Sequence, residues 1–196
     1  VLADLVIEHE AALALTLRIA RALDSSATSE SEKMLVRIAT AVGKYWICKR
    51  TPVHAAEAME CIGGSGTMED CIMPRLLRES PINSIWEGSG NVQCLDMLRA
   101  MHRTPGALDA FLGEVHLGRG TDARLDAAIA TLERELGDTT DLEYRARGVV
   151  EKMALALQGS LLVRQGNTAV ADAFCAARLD GTRSGLAFGN LPRGVD

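Results

Sequence analysis

Apolar residues recur along most of this chain at the three-to-four-residue spacing of an α-helix. No segment shows the strict alternation that a half-buried strand needs. Leu2, Leu5, His9, Leu13, Thr16, Leu17, Ala20 and Leu23 set a first helix over 2–23, with His9 read as a core residue on its apolar face. Leu35, Ile38, Val42, Trp46, Val53, Ala56 and Met59 set a second, entered through the capping-box pair Ser29 and Glu32 and ended at Gly63-Gly64. Pro52 lies inside it and predicts a kink or one lost hydrogen bond. Aromatic residues make up only 4% of the 196 residues. The core must then come from small and aliphatic side chains, helix against helix. The expected fold is all-α, an antiparallel helical bundle.

The rest of the chain divides at Thr104-Pro105-Gly106, giving regions 1–103 and 104–196. Within the first, 63–73 reads as a loop. Pro74 suits the first turn of a short helix. Residues 80–87 read as extended, because the residue before Pro81 is biased away from helix. A helix follows from about Ser89 to His102. In the second region Leu125, Ala128, Ile129, Leu132 and Leu136 form one stripe, and Val149, Met153, Leu157 and Leu161 another. Thr140 with Glu143 reads as the capping box of the latter, and Asn167 as the cap of a last helix running through Leu179. The Gly- and Arg-rich tail from Thr182 is expected to be partly disordered. The chain opens at Val1, already in a helical pattern and with no Met, and so reads as the carboxy-terminal piece of a longer protein.

Composition excludes several classes. No apolar run reaches the length of a membrane helix, and nothing resembles a secretory signal. Net charge is −5, which disfavours nonspecific phosphate binding. The five cysteines form no C-x-x-C pair, and the four histidines show no ligand spacing. That pattern points to reduced thiols in a cytoplasmic protein without a metal site.

One stretch carries chemistry. Ile82-Asn83-Ser84-Ile85-Trp86-Glu87-Gly88-Ser89-Gly90-Asn91 sets a carboxylate, Glu87, between an aromatic residue and a Gly-Ser-Gly turn. Glycine lets backbone approach a ligand closely and adopts positive φ. A second glycine turn, Cys61-Ile62-Gly63-Gly64-Ser65-Gly66, comes about twenty residues earlier. Taken alone, a Glu in a turn is most often a solvated surface charge, Ser89 an ordinary N-cap and Gly63 a helix C-cap. Arg75 and Arg78 share a helix face, which suits either a phosphate or the neighbouring Glu69, Asp70 and Glu79.

The two turns, with Pro74-Arg75-Leu76-Leu77-Arg78 between them, resemble the carboxy-terminal helical domain of the acyl-CoA dehydrogenases. Trp86 and Asn91 look most like the AidB-type branch, associated with DNA alkylation. The resemblance spans residues 1–103 and is densest over 55–99. It implies an FAD-dependent oxidoreductase in which Glu87 is the base that removes the α proton of an acyl-CoA thioester while a hydride leaves the β carbon for the flavin. It further implies that the Glu87 backbone N–H hydrogen-bonds the thioester oxygen as it becomes an enolate, a contribution typically worth ~3–4 kcal/mol. Trp86 becomes a water-excluding wall. Ser89 and Asn91 become flavin contacts, where most of the family has Thr and Glu or Gln. Gly63 and Gly64 meet the adenine end of FAD held by a neighbouring subunit. Self-association as a dimer or tetramer follows, as does poor FAD binding by this chain alone.

An extra helical region after residue 103 is also what the AidB-type branch has, where it is implicated in DNA binding. Arg178-Leu179-Asp180-Gly181-Thr182-Arg183 resembles that branch too. From Pro105 onward, however, ten Lys or Arg stand against thirteen Asp or Glu, a net of −3. A DNA-binding region is ordinarily basic. Two readings stay open: a dehydrogenase with a helical extension, and a DNA-associated flavoprotein with vestigial dehydrogenase activity.

Overall fold

A computed structural model describes residues 1–181, Phe188 and Leu191. The tail from Thr182, expected to be partly disordered, otherwise lies outside the described residues. Eight α-helices and no strand are found among those described: α1 (Leu2–Ser25), α2 (Glu30–Ile62), α3 (Met73–Glu79), α4 (Gly90–Arg103), α5 (Ala107–His116), α6 (Ala123–Gly137), α7 (Leu142–Arg164) and α8 (Thr168–Phe174). Short 3-10 turns cover Gly63–Thr67 and Ser80–Ser84, and a π-helical turn, Cys175–Leu179, extends α8. The all-α expectation holds.

Helix α2 is the spine. It packs against α1, α4, α5 and α7, ends at the Gly63 turn and contacts the Trp86–Ser89 turn through Lys44. Its start is the expected one: the Ser29 hydroxyl accepts the Glu32 N–H at 3.4 Å. It runs unbroken through Pro52, which removes one backbone donor without ending the helix. One continuous core joins Ile38, Val42 and Trp46 of α2 to Met97 of α4, Phe111 of α5 and Met153 and Leu157 of α7. Each such side chain contributes about 1.5–3 kcal/mol of transfer free energy. Trp46 Nε1 donates to Gln158 Oε1 at 3.1 Å inside it. The region beyond residue 103 thus shares its core with the region before it.

Helix α1 reverses the sequence expectation. Leu2, Leu13, Leu17 and Leu23 stand 42–67% exposed, and His9 is exposed rather than in the core. The buried face instead carries Asp4, Glu8 and Arg18 with Ile7, Ala11, Ala14 and Leu15. Distant charges make this possible. Glu8 accepts from Arg50 of α2 at 2.9 Å, and Arg178 of the π turn binds both Asp4 and Glu8. Arg18 pairs with Glu32 and Glu114, each at 2.7 Å, and Arg164 of α7 also reaches Glu114. Buried charges are tolerated when paired and hydrogen-bonded. Those partners lie up to 174 residues away, where periodicity cannot see them.

Other differences are local. Residues 80–84 are helical rather than extended: Pro81 occupies the first turn of the 3-10 segment, and the buried Ser80 hydroxyl caps Leu77 O at 2.8 Å. Part of the 63–73 loop is likewise 3-10 helix. Helix α5, unmarked by a sequence stripe, starts after Gly106 at φ +84. Thr140 does not cap α7; its N–H is held by the Asp138 carboxylate, and Asp141 at φ +49 precedes the helix. Asn167 caps α8 as expected, accepting from Val170 N–H at 3.3 Å.

Candidate functional site

The turn from Trp86 to Ser89 is built from both sides. The 3-10 segment leads into it, with Trp86 N–H bonded to Ile82 O at 3.1 Å. Glu87 then takes φ +53, a left-handed conformation uncommon for a residue with a side chain. Gly88 follows at φ +103, a conformation that favours glycine, and an added Cβ there would also push the flexible end of Gln93, 2.6 Å away at Nε2. Ser89 is extended and α4 begins at Gly90.

The carbonyls of this turn are all held. Lys44 Nζ, from α2, donates to Trp86 O at 2.5 Å and to Gly88 O at 2.6 Å. Gln93 Nε2, from the first turn of α4, donates to Glu87 O at 3.0 Å and to Gly88 O at 3.3 Å. The amide N–H groups of Glu87, Gly88 and Ser89 make no hydrogen bond among the described residues. The Glu87 carboxylate is exposed and has neither ion pair nor hydrogen bond there. Trp86 is 57% exposed beside Ile85 at 61%. The result is a held turn that leaves a carboxylate, three amides and an apolar ring uncommitted among the described residues.

Ser89 sits at the N-cap position of α4 but makes no capping bond, leaving its hydroxyl available. The Asn91 Oδ1 accepts from Arg147 Nη1 of α7 at 3.2 Å, and Arg147 Nε also donates to Tyr45 at 3.2 Å. Glu87, Trp86, Ser89 and Asn91 therefore share one end of α4. Gly63 and Gly64 do not join them. Gly63 closes α2 at φ +75, and both glycines face open space. Lys44 precedes Gly63 by nineteen residues, so at 1.5 Å rise those two residues are roughly 28 Å apart along α2. Around Gly63 the exposed Ile62, Met68, Ile72 and Leu76 leave apolar surface uncovered.

Arg75 and Arg78 resolve as surface pairs, with Glu79 at 2.9 Å and Glu69 at 2.7 Å. No group of three His, Cys, Asp or Glu fit for a metal gathers among the described residues. The cysteines are unpaired, and burial pushes Cys94 up to about 11 and Cys175 up to about 12. No described helix is long and apolar enough to cross a membrane. The arginines of the extension lean mainly on carboxylates: Arg119 on Glu133, Arg124 on Asp122 and Asp172, Arg145 on Glu135, and Arg178 on Asp4 and Glu8.

Three residues of the site escaped the sequence reading. Lys44 and Gln93 look like ordinary polar positions on amphipathic helices, and Arg147 like any exposed arginine. Nothing local marks a lysine that binds a turn forty-two residues away.

The sequence model of the acyl-CoA dehydrogenase C-terminal domain matches residues 1–102, just over half of the chain. The chain belongs to the acyl-CoA dehydrogenase family. Among acyl-CoA dehydrogenase relatives, it is 37% identical over 186 residues to the putative acyl-CoA dehydrogenase AidB of Escherichia coli K12. That match covers 95% of this chain and 34% of the relative. Acyl-CoA dehydrogenase family member 11 of Caenorhabditis elegans is 29% identical over 192 residues, covering 95% of this chain and 28% of its own length. The chain thus spans about a third of these relatives. In the crystal structure of C. elegans ACDH-11 in complex with C11-CoA, a similar arrangement covers 86% of this chain and 34% of that one, with TM-score 0.76 and 27% identity. The apo-form of Bd2924 gives TM-score 0.69 at 27% identity, covering 87% of this chain and 32% of that one.

Proposed function

We propose that this chain is the carboxy-terminal part of a cytoplasmic, FAD-dependent acyl-CoA dehydrogenase, with residues 1–103 as the helical domain of the active site and 104–196 as an extension. The observation that carries this is Glu87: an unpaired carboxylate on a left-handed turn whose three carbonyls are pinned and whose three amides are open. A carboxylate meant only for solvation needs no such frame.

The site residues fit a flavin and a thioester. Open space at Gly63 and Gly64, an uncommitted Ser89 hydroxyl and an exposed Trp86 face are what a flat, polar-edged cofactor needs from its protein partner. Bound FAD supplies the hydride acceptor. Ser89 and Asn91 would hold its nucleotide, and Gly63 and Gly64 would meet the cofactor of a neighbouring subunit. Trp86 excludes water beside the thioester. The Glu87 N–H binds the thioester oxygen, and its carboxylate takes the α proton. Acyl-CoA bound to ACDH-11, in a similar fold, supports this substrate class.

The second reading is a DNA-associated flavoprotein of the AidB type, favoured by the 37% identity that runs through the extension. The pairing of the extension's arginines with carboxylates weighs against a basic DNA face. Two assays on the flavin-loaded protein separate the readings: anaerobic flavin bleaching by a series of acyl-CoAs, and salt-dependent binding to duplex DNA. Bleaching by at least one acyl-CoA, with only nonspecific DNA affinity, is the expected result. Tight DNA binding with no bleaching by any acyl-CoA overturns it.

A further inference from the structure

The pinning of the Glu87 turn has a chemical consequence that depends on the acyl-CoA reading above. In a trans peptide the C=O and the following N–H belong to one conjugated unit and point in opposite directions. Trp86 O and Glu87 N–H are the two ends of one such unit. Gly88 O and Ser89 N–H are the ends of another. Lys44 Nζ donates to both carbonyls, at 2.5 and 2.6 Å. Gln93 holds the peptide between them through Glu87 O at 3.0 Å.

We propose that Lys44 is a positioning residue for the dehydrogenation: its ammonium group fixes the Trp86–Ser89 turn and polarises the Trp86–Glu87 peptide, so that the Glu87 N–H becomes a better-aimed and stronger donor to the thioester oxygen. A charged donor on a carbonyl is stronger than a neutral one, and hydrogen bonds through one peptide reinforce each other. Lys44 forms no ion pair with Glu87, so it leaves the carboxylate unneutralised for proton abstraction. Its position serves the purpose. Lys44 is half-buried, between core residues Val42 and Trp46 on the longest helix of the bundle. The base turn is thereby referenced to the rigid spine rather than to its own loop. The frame also holds Glu87 at φ +53, a conformation that a residue with a side chain otherwise avoids. Lys44 takes the two carbonyls that flank the base and leaves every amide of the turn open.

The test uses Lys44→Met and Lys44→Arg beside the wild type. Its first arm needs only this chain. Trp86 lies in the turn, while Trp46, the other tryptophan, is 3% exposed. Time-resolved anisotropy, with Trp86→Phe to assign the signal, reads local motion of the turn. Faster Trp86 motion in Lys44→Met, with far-UV circular dichroism unchanged and motion restored in Lys44→Arg, supports the clamp. Identical Trp86 motion in all three overturns it.

The second arm uses the flavin-loaded protein. Lys44→Met should lower the rate of flavin reduction by acyl-CoA roughly 10- to 100-fold, less than outright loss of an oxyanion donor. KM should change little, and Lys44→Arg should recover part of the rate. Equal reduction rates in wild type and Lys44→Met overturn the catalytic role even if the turn has loosened. Failure of the wild type itself to reduce flavin with any acyl-CoA overturns the acyl-CoA reading and the catalytic role with it, and the anisotropy arm then decides the clamp alone.

Discussion

Trp46 of α2 and Gln158 of α7 meet through a buried hydrogen bond of 3.1 Å, joining the family-matched region to the extension at the centre of one core. Two helices that share a core cannot unfold independently without exposing it. The chain should therefore lose Trp46 fluorescence and far-UV circular dichroism in one coincident transition. Ile38→Ala in α2 and Met153→Ala in α7, both fully buried, should each lower that single transition by about 2–5 kcal/mol. Two separated transitions, each moved by only one variant, would contradict a shared core.

The ion cluster at Glu114 makes an acid-sensitivity prediction. Burial alone would raise the Glu114 carboxyl, but hydrogen bonds from Arg18 and Arg164 outweigh it and hold the group below the usual carboxylate range. A carboxylate lowered in the folded state adds stability above its unfolded value and loses it as pH falls through the folded one. Glu114→Gln should cost roughly 3–5 kcal/mol at neutral pH, because two arginines lose a buried partner. The gap between wild type and variant should narrow as pH drops below about 4, the ordinary carboxylate range. Denaturant melts at several pH values check this; a pH-independent gap would refute it.

Glu151 predicts the opposite sign. Burial raises its carboxyl despite Arg50 and Lys152 nearby, and it has no hydrogen-bond partner among the described residues. The folded state therefore prefers the protonated form, and ionisation at neutral pH destabilises. Glu151→Gln should raise the midpoint of thermal unfolding at pH 7, with the gain vanishing as pH falls through the ordinary carboxylate range. A variant less stable than wild type at pH 7 would mean that Glu151 supports Arg50 more than it costs.

Much of the fold is legible in the sequence because most of its boundaries are local. The Ser29 cap and the Asn167 cap both depend on residues three apart, and both form. Helix α1 is misread for the contrasting reason. Its buried carboxylates have partners in α2 and the π turn, so the polar face is the inner one. In the site, Glu87 and its glycines form one short motif and can be read directly. Lys44 reaches the turn from α2 and Arg147 reaches Asn91 from α7, and no spacing rule connects either to the motif.

The exposed face of α1 bears on assembly. Leu2, Val6, Leu13 and Leu17 recur at helical spacing and are 42–67% exposed, which leaves an apolar stripe in water. The protein should self-associate at tens of micromolar, as dimer or tetramer. Leu13→Glu with Leu17→Glu should shift sedimentation toward monomer without altering helix content. A wild type that sediments only as monomer, or an assembly indifferent to the double substitution, would show that this stripe is not the contact.

Whether Glu87 is the base is tested most directly by rapid-mixing reduction of the flavin-loaded protein by acyl-CoA. Glu87→Gln keeps the side chain's shape and the backbone N–H but cannot accept a proton. The variant should bind FAD and still shift the flavin spectrum on adding acyl-CoA, while the rate of reduction falls by roughly two to four orders of magnitude. Reduction of the Glu87→Gln flavin as fast as that of the wild type would show that another group takes the α proton and that the turn holding Glu87 serves some other end.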